Sequence, residues 1–267
     1  IFQAPWLSPL GWALLHSLWE GTLVCLATAL ILRGMRGSSS RARYLVAVLG
    51  LLLFAGLPLR RVAAGRLHPS TPKLTVHLEQ GRPLQATPRA LATNPAPALR
   101  TRVAGNLERA LPWVVMAWGL GVLAFLLRLA GGWLWIQRLR WRKACLAPDS
   151  LQRELLDLCR RAGLKRAVTL LTCEGLPGPS VVGFLRPAIL VPTGWFLNLS
   201  PEYVEALLAH ELAHVLRHDY LVNLLQSLLE VIFFYHPGLW WLSRAIRQER
   251  EMACDAFATR LIGNPLH

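Results

Sequence analysis

Three stretches of the chain, residues 7–32, 44–63 and 111–136, are too long and too apolar to be ordinary surface helices. A hydrocarbon core of roughly 30 Å is crossed by a helix of about 20 apolar residues. A helix also satisfies its own backbone hydrogen bonds where no water can. The chain is therefore expected to be a multi-pass membrane protein with three transmembrane helices, the second shortened by Arg60 and Arg61. Of its 267 residues 54% are hydrophobic, above the share usual for a soluble domain. Trp6, Trp12, Trp113, Trp135 and Trp141 lie near the ends of apolar runs, as in an interfacial aromatic belt.

Lys and Arg number 29 against 15 acidic residues, a formal charge of +14. Such a balance suits nucleic acid, anionic lipid or the positive-inside rule. Here Arg33, Arg36, Arg41 and Arg43 fill the first connection, and Arg138, Arg140, Arg142 and Lys143 follow the third apolar run. Clustering beside apolar segments favours the third explanation, so the lipid bilayer is the expected partner and no direct nucleic-acid contact is expected. The rule then places the N-terminus and residues 64–110 outside, and the first connection and residues 137–267 in the cytoplasm. The 64–110 loop, with Pro69, Pro72, Pro83, Pro88, Pro95 and Pro97, reads as an extended linker. No basic stretch precedes the first apolar run, so residues 1–32 are not read as a cleaved signal peptide. The five cysteines form no Cys-x-x-Cys pair and read as reduced thiols.

The segment 137–267 changes character. Leucines at helical spacing predict an amphipathic helix over 149–163, and β-branched runs at 168–173 and 181–192 predict short strands forming a hairpin. Ser200-Pro201-Glu202 supplies a cap, a first-turn proline and an early acid for a helix ending near Arg217. The fold class is thus mainly α with a small β element (α+β), with transmembrane helices preceding a cytosolic domain.

The last of these helices carries His210-Glu211-Leu212-Ala213-His214. Residues four apart share a helix face, so both imidazoles can grip one ion, one Zn²⁺ per chain, with Glu211 beside it as general base. The flanking positions Leu207, Leu208, Leu212 and Val215 are apolar, and a partly buried pair of imidazoles needs a partner. A third ligand is required, and Glu251 is the choice. Asp255, one turn on, accepts a hydrogen bond from the outer nitrogen of a ligating histidine. The rival Glu249 points about 160° away from Glu251 on an ideal helix. His218, His236 and Arg250 are near in sequence and are candidates for contacting substrate or a developing oxyanion. Cys254 reads as a small buried thiol.

The sequence resembles the BlaR/MecR-type family of integral-membrane zinc metallopeptidases. The resemblance is carried by His210-Glu-Leu-Ala-His214 with Arg217 and Asp219, Phe233-Phe-Tyr-His-Pro237 with Trp240-Trp241, Arg250-Glu-Met-Ala-Cys-Asp255, Val182-Gly-Phe-Leu-Arg-Pro187 with Leu190-Val-Pro192, and Leu15-His-Ser-Leu-Trp-Glu20. It implies a zincin-like (gluzincin) peptidase domain in a bacterial-type cell membrane. It further implies ligands His210, His214 and Glu251, catalytic Glu211, and a protein substrate, a transcriptional repressor in a signal-transducing relative. No Ser-x-x-Lys motif lies in these residues with a penicillin-binding domain around it, so antibiotic sensing is not expected from them.

The ligand set constrains topology. Residues 220–243 are apolar, but a full crossing would rise roughly 35 Å and put Glu251 across the membrane from His210. The break at His236-Pro237-Gly238 instead predicts a re-entrant helical hairpin over about 219–262, with helices from Asp219 to Tyr235 and from Leu239 to Ile262. His16 and Glu20 lie four apart inside the first apolar run, placed to bond each other or the cytosolic domain. The strands at 180–192 offer an edge for an extended substrate chain. Two other function classes compete. A non-proteolytic membrane receptor or scaffold with a structural zinc site has no use for Glu211, and a transporter or channel would need more spans.

Overall fold

The computed structural model describes residues 7–67, 95–183, 187–195 and 199–263. The chain is mainly helical with one small sheet. Helix α1 covers Leu7–Gly34, α2 Ser40–Leu67 and α3 Pro95–Arg142. All three contain stretches long and apolar enough to cross a membrane, at Pro9–Gly34, Ser40–Ala63 and Arg109–Arg142. Then come β1 (Ala144–Leu146), α4 (Asp149–Arg161), β2 (Thr169–Cys173), β3 (Ser180–Val182) and β4 (Ala188–Pro192). Three helices close the order: α5 (Pro201–Arg217), α6 (Asp219–Ile232) and α7 (Pro237–Ile262).

Two differences from the sequence reading stand out. Residues 95–110 of the expected linker are helical, because α3 begins at Pro95 and runs 48 residues. Proline is tolerated in a first helical turn, and the Ala, Leu and Arg that follow are strong helix formers. The rest of that loop, 68–94, lies outside the described residues. Secondly, the strands make more than a hairpin. The sheet order is β1-β2-β4-β3, with β4 antiparallel to β3 but parallel to β2, and with β1 an unforeseen antiparallel edge.

Two compact units divide the chain. In the first, residues 1–20 and 55–120, Gly11 meets Leu111 so closely that a Cβ would stand 2.8 Å from its Cδ2. His16 and Glu20 do not bond each other: Glu20 pairs with Arg61, and His16 Nδ1 accepts from Trp19 Nε1 at 2.9 Å. An ionisable group in an apolar helix is stable only with such a partner.

The second unit, residues 21–54 and 121–267, holds the sheet and α4 to α7. Leu155 and Leu158 of α4, Leu170 and Ile189 of the sheet, and Leu208 and Leu212 of α5 form its fully buried centre. Every residue of β4 is buried, as befits an interior strand covered on both faces. The apolar segment 220–243 is not one helix: α6 stops at Ile232 and α7 starts with Pro237 at its first position. The turn between them is wedged against the middle of the three long helices. A Cβ on Gly21 would sit 2.4 Å from Phe54 and 2.7 Å from His236, one on Gly121 would sit 2.2 Å from Phe234, and one on Gly238 would sit 2.9 Å from Cys25. Only glycine permits these approaches. Helix α7 lies mainly along α5, with few contacts to α6, so α5 and α7 are the closely packed pair.

Candidate metal centre

Helix α5 starts after Ser200, whose extended backbone fits an N-cap although its hydroxyl makes no capping bond. Its apolar positions Val204, Leu208, Leu212 and Val215 repeat at helical spacing and face the core. The neighbouring face, with His210 and His214 one turn apart, is left toward α7. From α7, Glu251 and Asp255, also one turn apart, face back. Packing α5 on α7 therefore brings together two imidazoles and two carboxylates from positions 37 or more residues apart.

Their atoms are arranged in two layers. In the inner layer Glu251 Oε2 stands 3.4 Å from His210 Nε2 and 3.6 Å from His214 Nε2. Ligands 2.0–2.1 Å from a tetrahedral ion stand about 3.3–3.4 Å apart, so this spacing fits a divalent zinc with little movement. In the outer layer the other ring nitrogen of each histidine meets a second carboxylate: His210 Nδ1 to Asp255 Oδ1 at 2.8 Å, and His214 Nδ1 to Asp219 Oδ2 at 2.9 Å. A carboxylate on Nδ1 fixes the tautomer that turns the Nε2 lone pair toward a metal. The two outer acids are not equal. Asp255 is 69% exposed and water-screened, whereas Asp219 is 5% exposed and also accepts from Arg217 Nε at 3.4 Å.

Electrostatics follow the geometry. Hydrogen bonds from the two imidazoles hold Glu251 far below the usual carboxylate range. The same contact with Glu251 raises His210. For His214, burial opposes a charge, but bonds to Asp219, Cys254 and Glu251 outweigh it and push its pKa up to about 12. The cluster is thus built to keep positive charge between two Nε2 atoms and a carboxylate. Glu211, on the same helix, is buried, and that burial pushes its carboxyl up.

The remaining sequence-selected residues separate cleanly. Arg250 reaches the cluster, its Nε donating to Glu251 Oε1 at 3.3 Å. His218 is exposed on the turn between α5 and α6, where it adopts a left-handed φ of 56° and its Nδ1 stands 3.1 Å from Leu216 O. His236, expected among groups able to meet substrate, is 1% exposed with its ring edge-on to Phe54 at 4.8 Å, so it faces α2. Glu249 is buried in an ion pair with Arg43, off the cluster. Cys254 Sγ lies 3.4 Å from His214 Nδ1 and 3.5 Å from Asp219. His214, Asp219 and Cys254 therefore make a second group close enough to hold an ion. Burial raises the Cys254 thiol, however, which disfavours the thiolate a metal needs. Asp219 entered the sequence reading only as part of a family-like motif, and its bond to His214 was not foreseen. Its signal was an acid just beyond a helix end, five residues after the second histidine.

The family model for the BlaR1 peptidase M56 matches residues 12–266. The chain belongs to this family. Membership points to a metallopeptidase, and with it to a metal ion. Similar curated proteins include the regulatory protein BlaR1 of Bacillus licheniformis, 30% identical over 92 residues, 34% of this chain and 15% of that protein. The methicillin resistance mecR1 protein of Staphylococcus aureus is 24% identical over 127 residues, 47% of this chain and 22% of that protein. A protease HtpX homolog of Bacillus licheniformis is 36% identical over 67 residues, 24% of this chain and 23% of that protein. The matched stretches of this M56 chain thus span under a quarter of each relative's length.

Proposed function

We propose that the chain is a zinc endopeptidase that hydrolyses peptide bonds of protein substrates at the cytoplasmic face of a bacterial-type cell membrane. The observation that carries this reading is the double layer: two Nε2 atoms and Glu251 at ligand spacing, each histidine backed by an aspartate on its other nitrogen. His210, His214 and Glu251 would hold the ion. Bound there, zinc supplies a Lewis acid that lowers the pKa of a ligated water to about 7 and polarises the scissile carbonyl. Glu211 takes the proton of the attacking water and delivers it to the departing amine nitrogen. Its burial favours that exchange, since a carboxyl raised toward neutrality both accepts and releases a proton readily. Arg250 steadies Glu251. The edge strand β3 lies beside α5 and suits an extended substrate backbone.

Sidedness rests on charge. The basic connection before α2 and the basic end of α3 mark the cytoplasmic side, and Arg43 of α2 is paired with Glu249 of α7. The α6–α7 turn, seated against mid-span glycines, fits a re-entrant element that leaves both ligand helices on one side. By likeness to regulatory relatives, the peptidase is the output module of a transmembrane signal transducer, and its substrate is a transcriptional repressor.

The test is cleavage of an unstructured protein by the chain in lipid nanodiscs, beside Glu211→Ala. Wild type is expected to cut in a zinc-dependent manner and Glu211→Ala to bind zinc without cutting. Zinc binding with no cleavage by wild type would favour a non-proteolytic receptor or scaffold instead.

A further inference from the structure

Near its start, helix α2 (Ser40–Leu67) carries two adjacent residues, Arg43 and Tyr44, that touch the segments on which the metal cluster is built. Arg43 forms a largely buried ion pair with Glu249, two residues before Glu251 on α7. Tyr44, 7% exposed, lies under the Arg217 guanidinium at 4.8 Å from its ring centroid. Arg217 Nε donates to Asp219 Oδ1 at 3.4 Å, and Asp219 holds His214 Nδ1 at 2.9 Å. One helical turn therefore touches the segment carrying Glu251 and, through two intermediates, the ring of His214.

Stability alone is a poor reason for this arrangement. A buried ion pair recovers its desolvation cost only when its remaining polar atoms are satisfied. Here Arg43 Nε and Glu249 Oε2 have no hydrogen-bond partner among the described residues. An apolar pair of similar size would pack α2 on α7 without that penalty, but would not fix the rotation of α7 about its axis. Rotation is what a ligand set divided between α5 and α7 requires, since a carboxylate displaced by about 1 Å no longer shares an ion with two imidazoles.

We propose that Arg43 and Tyr44 are positioning residues for the metal cluster, clamping the Glu251 and His214 segments to the N-terminal end of an apolar, membrane-length helix. The proposal rests on His210, His214 and Glu251 being the metal ligands. Movement of α2 then alters metal geometry without any contact between α2 and the ion.

The experiment uses the full chain in nanodiscs and Co²⁺ as a spectroscopic metal, with affinity and visible absorption both recorded. Tyr44→Leu removes the ring under Arg217, and Arg43→Met removes the charge opposite Glu249. Each is expected to weaken Co²⁺ binding about 10-fold and to shift the absorption bands, the lower end of the effect of outer residues on metal sites. Tyr44→Phe, which keeps the ring, should restore wild-type binding. The exchanged pair Arg43→Glu with Glu249→Arg should recover affinity lost in either single change, which keeps the proposal testable if Arg43→Met fails to fold. Wild-type affinity and spectrum in both Tyr44→Leu and Arg43→Met, with binding abolished in His214→Ala, would overturn the clamp and leave the metal site intact. Undiminished binding in His214→Ala would instead remove the metal site, and the clamp with it.

Discussion

Replacing Asp219 should weaken zinc binding more than replacing any other acid outside the inner ligand layer. Its Oδ2 receives His214 Nδ1 at 2.9 Å in a site only 5% exposed. A buried hydrogen bond to a charged group contributes roughly 1.5–3 kcal/mol, equivalent to about 10–100-fold in affinity. That range coincides with the effect of outer carboxylates on histidine-ligated metals, also about 10–100-fold. Asp219→Ala removes the acceptor and frees the ring to rotate, so it should approach the upper figure. Asp219→Asn keeps an acceptor without the charge and should fall near 10-fold. Asp255→Ala is the internal control: at 69% exposure its bond contributes about 0–1 kcal/mol, within roughly fivefold. Competition against a chromophoric chelator at fixed pH reads all three. If Asp219→Ala binds zinc as tightly as Asp255→Ala, burial does not set the ranking and the outer layer has been misjudged.

Four further outcomes follow from the geometry. Two imidazoles raised by their carboxylate partners must lose protons to a metal, so zinc binding near neutral pH should release more than one proton, measurable from the buffer dependence of binding heat. In the metal-free protein the histidines stabilise the fold fully below their ordinary value of 6.5, a contribution lost as pH rises through their elevated values. The depressed Glu251 stabilises above its ordinary 4.5, with loss on acidification, so melting without metal should be highest between those two values. His218→Gly relieves a left-handed backbone at φ 56° and should raise stability by about 1 kcal/mol without loss of zinc, read as a higher melting temperature; a fall would show that the His218 ring is needed. Gly21→Ala forces a methyl against Phe54 and His236, both at most 1% exposed, and should destabilise by about 1–3 kcal/mol; an unchanged melting temperature would mean that the turn is not seated there.

The grouping of His210, His214 and Glu251 was legible because the spacing is helical and the chemistry unusual. His210 and His214 share a face by arithmetic, and the same arithmetic turned Glu249 away, where the structure buries it on Arg43. The break at Pro237 was legible because proline cannot continue a helix. What escaped depended on long-range contact. Strand β1 has three residues, too few for a periodicity, and exists only by pairing with β2. The parallel match of β2 with β4 was masked by the nearer hairpin partner β3. Arg61 read as an interruption of an apolar run because its partner Glu20 lies 41 residues away. Asp219 sits behind a left-handed His218, a backbone choice that local propensity does not favour, so its return to His214 was not visible from spacing.

The most direct measurement is zinc K-edge X-ray absorption of the purified chain, with metal content determined in parallel on Glu251→Ala. The expected result is one zinc per chain with two imidazoles and oxygen ligands at about 2.0–2.2 Å, and loss of zinc in Glu251→Ala. A sulfur ligand at about 2.3 Å would move the ion to Cys254 and Asp219, and that, or full zinc occupancy in Glu251→Ala, would contradict the His210, His214 and Glu251 site.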